Sequence, residues 1–141
     1  MSTYTGFDLP MVHEEKLAEV FGRQPEVEAV YLFGSTAEGH ASSGSDLDLA
    51  VLPARGGSVD KLELLADLVE AGFSDVDLVV LDGRDLVLEY EAVRHNRLVY
   101  AVPEFDRGET YSRIVRRYLD FLPYLEIQRR AYKRRILDGQ A

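Results

Sequence analysis

The chain has 141 residues, 46% of them hydrophobic, which suits one domain with a buried core. Its 25 acids against 16 bases give a formal net charge of −9, so the molecule as a whole is a poor generic binder of nucleic acid. It contains no cysteine, which excludes disulfides and thiolate metal sites; no apolar run approaches the ~18 residues of a membrane span, and the opening MSTYTGFDLP lacks the segments of a signal peptide, so a cytoplasmic protein is expected.

Helix-like and strand-like segments alternate along the chain. Residues 11–22 read as a helix, with Leu17, Val20 and Phe21 on one face and Gly22 near its end. VEAVYLF, 27–33, is rich in β-branched and aromatic residues and stops at Gly34, which predicts a strand. TAEGHASSGS, 36–45, is a loop of small residues, and DLDLAVL, 46–52, is a second strand followed by a loop at 55–58. Asp60 and Glu63 have the spacing of a capping box that opens a helix through Glu70, ended by Gly72. DVDLVVL, 75–81, is a third strand, Asp85–His95 a helix, and RLVYA, 97–101, a fourth strand. From Asp106 onward Tyr111, Ile114, Tyr118, Leu122 and Leu125 recur at helical spacing, and Pro123 is expected to kink or divide that element. The expectation is a single α/β (α+β) domain over 1–141, with a core at about 11–102 and a helical C-terminal extension at about 106–137.

Charge is segregated along this chain. Residues 107–135 carry nine of the 16 bases against three acids, whereas residues 1–106 hold 21 acids against seven bases. An acidic body with a basic tail interleaved with Tyr111, Tyr118, Tyr124 and Tyr132 suggests a partner surface on the tail, although a solvated helix face would look the same.

Side chains alternate along a strand, so Asp46 and Asp48 share one face while Leu47, Leu49 and Val51 take the other. In strand 75–81, Asp75, Asp77 and Val79 share a face by the same alternation. If the two strands are neighbours, a third carboxylate lands beside the first pair. Carboxylates that close repel and desolvate badly unless a divalent cation joins them. Magnesium suits such a site, since it accepts a few carboxylates and keeps its remaining positions for water and phosphate. Two such ions would form the clamp used in phosphoryl and nucleotidyl transfer. Gly34 and Ser35 follow directly on strand 27–33, where a turn can aim backbone amides and the Ser35 hydroxyl at an anion. Glycine there lets a polyphosphate approach the backbone, and no GxxxxGK[ST] occurs, so the chain has no P-loop.

Gly34-Ser35, ten residues, then Asp46-Leu47-Asp48 is a GSx10DxD pattern, and in it the chain resembles the polymerase-β-like nucleotidyltransferase superfamily. From Val27 through Ala101, and in its basic, tyrosine-containing C-terminal helix, it resembles the minimal nucleotidyltransferase (MNT) domain antitoxins of HEPN/MNT toxin–antitoxin pairs. The resemblance implies a small mixed sheet flanked by helices, catalytic and metal-binding roles for Asp46, Asp48 and Asp77, and nucleotide binding by Gly34 and Ser35. It implies two Mg2+ ions, ATP as substrate, and a HEPN ribonuclease toxin as partner, silenced by transfer of AMP to a tyrosine hydroxyl. Asp75 shares the face of Asp77, and a small register error would exchange them. Alternatives on the same core are nucleotide transfer to a small aminoglycoside-type molecule, for which 141 residues leave little acceptor pocket, and a non-catalytic antitoxin that only docks. No direct nucleic-acid or membrane partner is expected. Two departures from the family pattern stand out. Thr36-Ala37-Glu38 replaces the arginine often found after the GS pair, and His95-Asn96 replaces a common glycine before the last strand, with no evident functional consequence.

Overall fold

A computed structural model describes residues 11–34 and 47–139, with side chains from residue 14 onward. In chain order the described elements are α1 (Met11–Gly22), β1 (Val27–Leu32), β2 (Leu47–Pro53), α2 (Lys61–Glu70), β3 (Val76–Val80), α3 (Leu86–Val93), β4 (Arg97–Ala101) and α4 (Arg107–Leu137). The strands form one mixed sheet in the order β3-β2-β1-β4. β1 pairs antiparallel with β2 and β4, whereas β2 and β3 run parallel, joined through α2.

Local chemistry starts the later helices in the same way. Asp60, Asp85 and Asp106 each take an extended backbone, and their carboxylates accept from the amides of Glu63 (3.1 Å), Leu88 (3.0 Å) and Glu109 (3.0 Å). Each satisfies an N–H that the first helical turn would otherwise leave unpaired, and each places a negative charge at the positive end of the helix dipole.

Both faces of the sheet are covered. Leu32, Leu47, Leu49, Val51 and Leu78 pack with Leu17, Val20 and Phe21 of α1 and Leu64 and Leu68 of α2. Ala29, Tyr31 and Ala50 turn the other way, onto Ala92 and Val93 of α3 and Ile114 of α4. Periodicity in β2 identifies only the first of these faces; the second is buried because α3 and α4 close over it.

α3 and α4 run antiparallel. Arg107 bonds to Asn96, just beyond the end of α3; the Tyr118 ring stacks on Tyr90 at 4.0 Å; and Arg117 pairs at 3.3 Å with Glu89, whose side chain is only 7% exposed. A buried carboxylate is tolerated here because a guanidinium meets it, and the stacked rings contribute about 0.5–1.5 kcal/mol beyond area burial. α4 is one continuous helix of 31 residues, so of the two outcomes expected at Pro123, a kink or a division, the division does not occur. The ring leaves the Leu119 carbonyl without its helical donor, but Pro123 and Leu119 are both exposed and water can replace that bond. Beyond Leu125 every described residue of α4 is exposed. The helix is roughly 46 Å long, and its final turns project free of the body with Ile127, Tyr132, Ile136 and Leu137 in solvent.

Candidate active site

Parallel pairing sets Leu47 opposite Val76 and Asp48 opposite Asp77. Register partners share a face, so these two carboxylates stand side by side on adjacent strands, about 4.8 Å apart in the backbone. Asp75 precedes β3, and its carbonyl accepts from the Leu47 amide at 2.8 Å. The strand start is thus fastened by Asp75's backbone, and Asp77 is the carboxylate level with Asp48. Asp77 is exposed and Asp48 is half-buried. Asp46 and Ser35, the other two side chains proposed from the sequence, lie outside the described residues.

Antiparallel pairing brings the end of β1 to the same corner. The Phe33 amide donates to the Asp48 carbonyl at 3.1 Å, and Gly34 follows with φ +65°, a left-handed conformation that glycine adopts without penalty. A Cβ at position 34 would lie 2.7 Å from Asp48 Oδ2 and 3.3 Å from its Cγ. The hydrogen of Gly34 therefore occupies space that the Asp48 carboxylate needs. This is a second reason for glycine, and it is invisible in the sequence, where position 34 is read only as an approach for phosphate.

Among the described residues no group of three His, Cys, Asp or Glu side chains could hold a metal ion; Asp48 and Asp77 are the two that meet at this corner. Their donors are oxygen only, in a chain without cysteine, and a side-by-side carboxylate pair attracts a hard divalent cation. The donor set fits magnesium.

Tyr31, one step inside Phe33 on the same face, is fully buried with its hydroxyl unpaired. Burial raises its pKa above 10, and the charges of Arg107 and Arg113 oppose that rise. A pair at the start of α4 leaves no signal in the sequence. Arg107 Nε donates to Asn96 Oδ1 at 3.1 Å, and its Nη2 donates to the Asn96 carbonyl. Asn96 has φ +55°, alone among the described non-glycine residues in being positive. Glycine adopts that conformation freely, and asparagine tolerates it better than most other residues.

Residues 15–104 match the family described as polymerase beta, nucleotidyltransferase. The chain is similar to the protein adenylyltransferase MntA of Shewanella oneidensis, at 35% identity over 83 residues. That alignment covers 58% of this chain and 60% of the relative, so the match spans three-fifths of the relative's length. A solved toxin–antitoxin with AMP-PNP is similar at 30% identity and a TM-score of 0.65, covering 91% of this chain and 98% of that one. A second structure, of the tri-AMPylated Shewanella oneidensis HEPN toxin in complex with its MNT antitoxin, is similar at 27% identity and a TM-score of 0.61, covering 93% and 98%.

Proposed function

Because the chain belongs to the polymerase-β nucleotidyltransferase family, we propose that it is a protein adenylyltransferase antitoxin, transferring AMP from ATP to a tyrosine hydroxyl of a HEPN ribonuclease toxin and thereby neutralising it. The carrying observation is the level pairing of Asp48 with Asp77 beside the Gly34 turn. Support comes from the similarity to MntA, which is named a protein adenylyltransferase, and to structures whose toxin is AMPylated or whose complex holds AMP-PNP.

In this reading Asp46, Asp48 and Asp77 hold two Mg2+ ions, which supply charge neutralisation on the phosphates and acidify the acceptor hydroxyl. Gly34 admits the triphosphate to the backbone, and the Ser35 hydroxyl donates to it. Asp77, the exposed member of the pair, orients the acceptor hydroxyl and takes its proton. The acceptor oxygen attacks the α-phosphorus in line, the bond to the bridging oxygen of the β-phosphate breaks, and pyrophosphate leaves. No enzyme nucleophile is needed. Residues 11–102 are the catalytic core, and the extension at 106–137 is the docking element: its exposed final turns carry Arg129, Arg130, Lys133, Arg134 and Arg135 between apolar side chains. Because ATP is the donor, the reaction belongs in the cytoplasm.

The test is label transfer from α-labelled ATP to the purified HEPN partner with magnesium, using Asp48→Asn and Asp77→Asn. Both variants should fold as the parent does and lose transfer. Near-native transfer by either one overturns the assignment.

A further inference from the structure

The corner that carries Asp48 and Asp77 is acidic, and residues 36–45 between the GS pair and strand β2 contain no lysine or arginine. Beyond the magnesium of the proposed reading, a side-chain cation for the triphosphate has to come from elsewhere in the chain.

Register shows where one stands. Leu32 pairs with Arg97, so Asn96, one step before, comes level with Phe33, which faces Asp48. Asp77, Asp48, Phe33 and Asn96 thus form one row across the end of the sheet, with about 10 Å, two strand spacings, from Asp48 to Asn96. Arg107 is fastened to the Asn96 end of this row through both the side chain and the carbonyl of Asn96.

Three arginines surround this point, and two are committed to carboxylates. Arg94 pairs with Glu91 at 3.3 Å, and Arg97 pairs with Glu14 of α1 at 3.3 Å, on the face of the sheet opposite Asp48. Among the described residues Arg107 bonds to neutral oxygens and to no carboxylate, which leaves its charge and further N–H donors for an anion. Exposed itself, it is held at two points by Asn96, at the start of the helix that covers the face of the sheet to which Asp48 alternates. A guanidinium anchored in this way, with no carboxylate among its described partners, is suited to bind a phosphate.

We propose that Arg107, positioned by Asn96, binds the phosphate chain of the nucleotide and supplies the cation that the GS loop lacks. This inference rests on the nucleotidyltransferase reading of the site. It also gives Asn96 a task beyond that of a turn residue: its side-chain oxygen aims the guanidinium that a glycine would leave loose.

The test is titration calorimetry of AMP-PNP with magnesium into the parent protein, Arg107→Gln, Arg107→Lys, Asn96→Gly and, as a control, Arg94→Gln, beside the Tm of each. Loss of a charge-assisted contact should weaken AMP-PNP binding by Arg107→Gln about ten- to a hundredfold. Arg107→Lys should recover part of that affinity, because it keeps the charge. Asn96→Gly keeps the left-handed backbone and removes only the side-chain acceptor, so it should lose about two- to fivefold. Arg94→Gln should bind as the parent does. An Arg107→Gln affinity within twofold of the parent, or Lys and Gln variants equally impaired together with a lowered Tm, overturns the proposal and leaves Arg107 a structural clamp. A parent protein that binds no AMP-PNP overturns the nucleotide reading itself, and this inference with it.

Discussion

Gly34→Ala separates the cost of a strained backbone from the cost of a displaced carboxylate. At φ +65° an alanine pays about 1–2 kcal/mol for its left-handed conformation. Its methyl also arrives 2.7 Å from Asp48 Oδ2, whereas ordinary contact begins at 3.4 Å. The carboxylate must therefore withdraw by about 0.7 Å, a movement that an aspartate terminus makes cheaply in stability and dearly in function, since misplacement of about 1 Å can cost on the order of a hundredfold in rate. Gly56 is the control, with φ +74° and nothing within 4 Å of a Cβ. Both alanine variants should lose about 1–2 kcal/mol, or about 3–8 °C in Tm for a chain of this size. Only Gly34→Ala should lose kcat/KM for transfer from ATP to the partner, by about ten- to a hundredfold. Near-parent activity in Gly34→Ala with a normal drop in Tm refutes the reasoning, because Asp48 would then tolerate the shift. Equal activity losses in both variants would refute it as well.

Ser35→Ala should cost about 1–3 kcal/mol in kcat/KM for ATP, the worth of a hydrogen bond to a charged group, and steady-state kinetics at saturating partner concentration measure it. Tyr31→Phe should raise stability to urea by about 1 kcal/mol, because it removes a buried hydroxyl with no partner. Tyr31 is an acid whose folded pKa lies above its unfolded value of 10, so the unfolded chain loses its proton first and stability falls as pH rises past 10; Tyr31→Phe should lack that component in Tm measured from pH 9 to 11.5. Charge reversal at Arg129, Arg130 and Arg134 should slow association with the partner at low salt by about tenfold while leaving AMP-PNP affinity unchanged, since these exposed residues lie in the free turns of α4. Calorimetry beside surface-binding kinetics on the same variant checks both halves, and equal losses would place the tail in the nucleotide site.

Much of this protein is local chemistry and therefore legible in the chain. Hydrophobic period distinguishes β2 from α2, and an aspartate ahead of each later helix marks its start because the capping bond spans three residues. Gly34-Ser35 and the Asp46–Asp48 pair are likewise visible as a spacing, and the charge contrast between body and tail is a count. Strand register is not local. That Asp77, and not Asp75 two residues earlier on the same face, stands level with Asp48 depends on a pairing between residues about thirty positions apart, and a two-residue slip would exchange them. Packing decided the remainder. Burial of Ala50 against α3 and α4 reveals a second covered face that alternation could not show, and the continuity of α4 through Pro123 follows from the exposure of the Leu119 carbonyl's surroundings. The Arg107–Asn96 clamp joins the first turn of α4 to the residue before β4, and the Gly34 contact joins β1 to β2; each is a distance in space between groups that the sequence separates. Spacing along a chain encodes hydrogen bonds within a turn, whereas contacts across a sheet exist only once the sheet has closed.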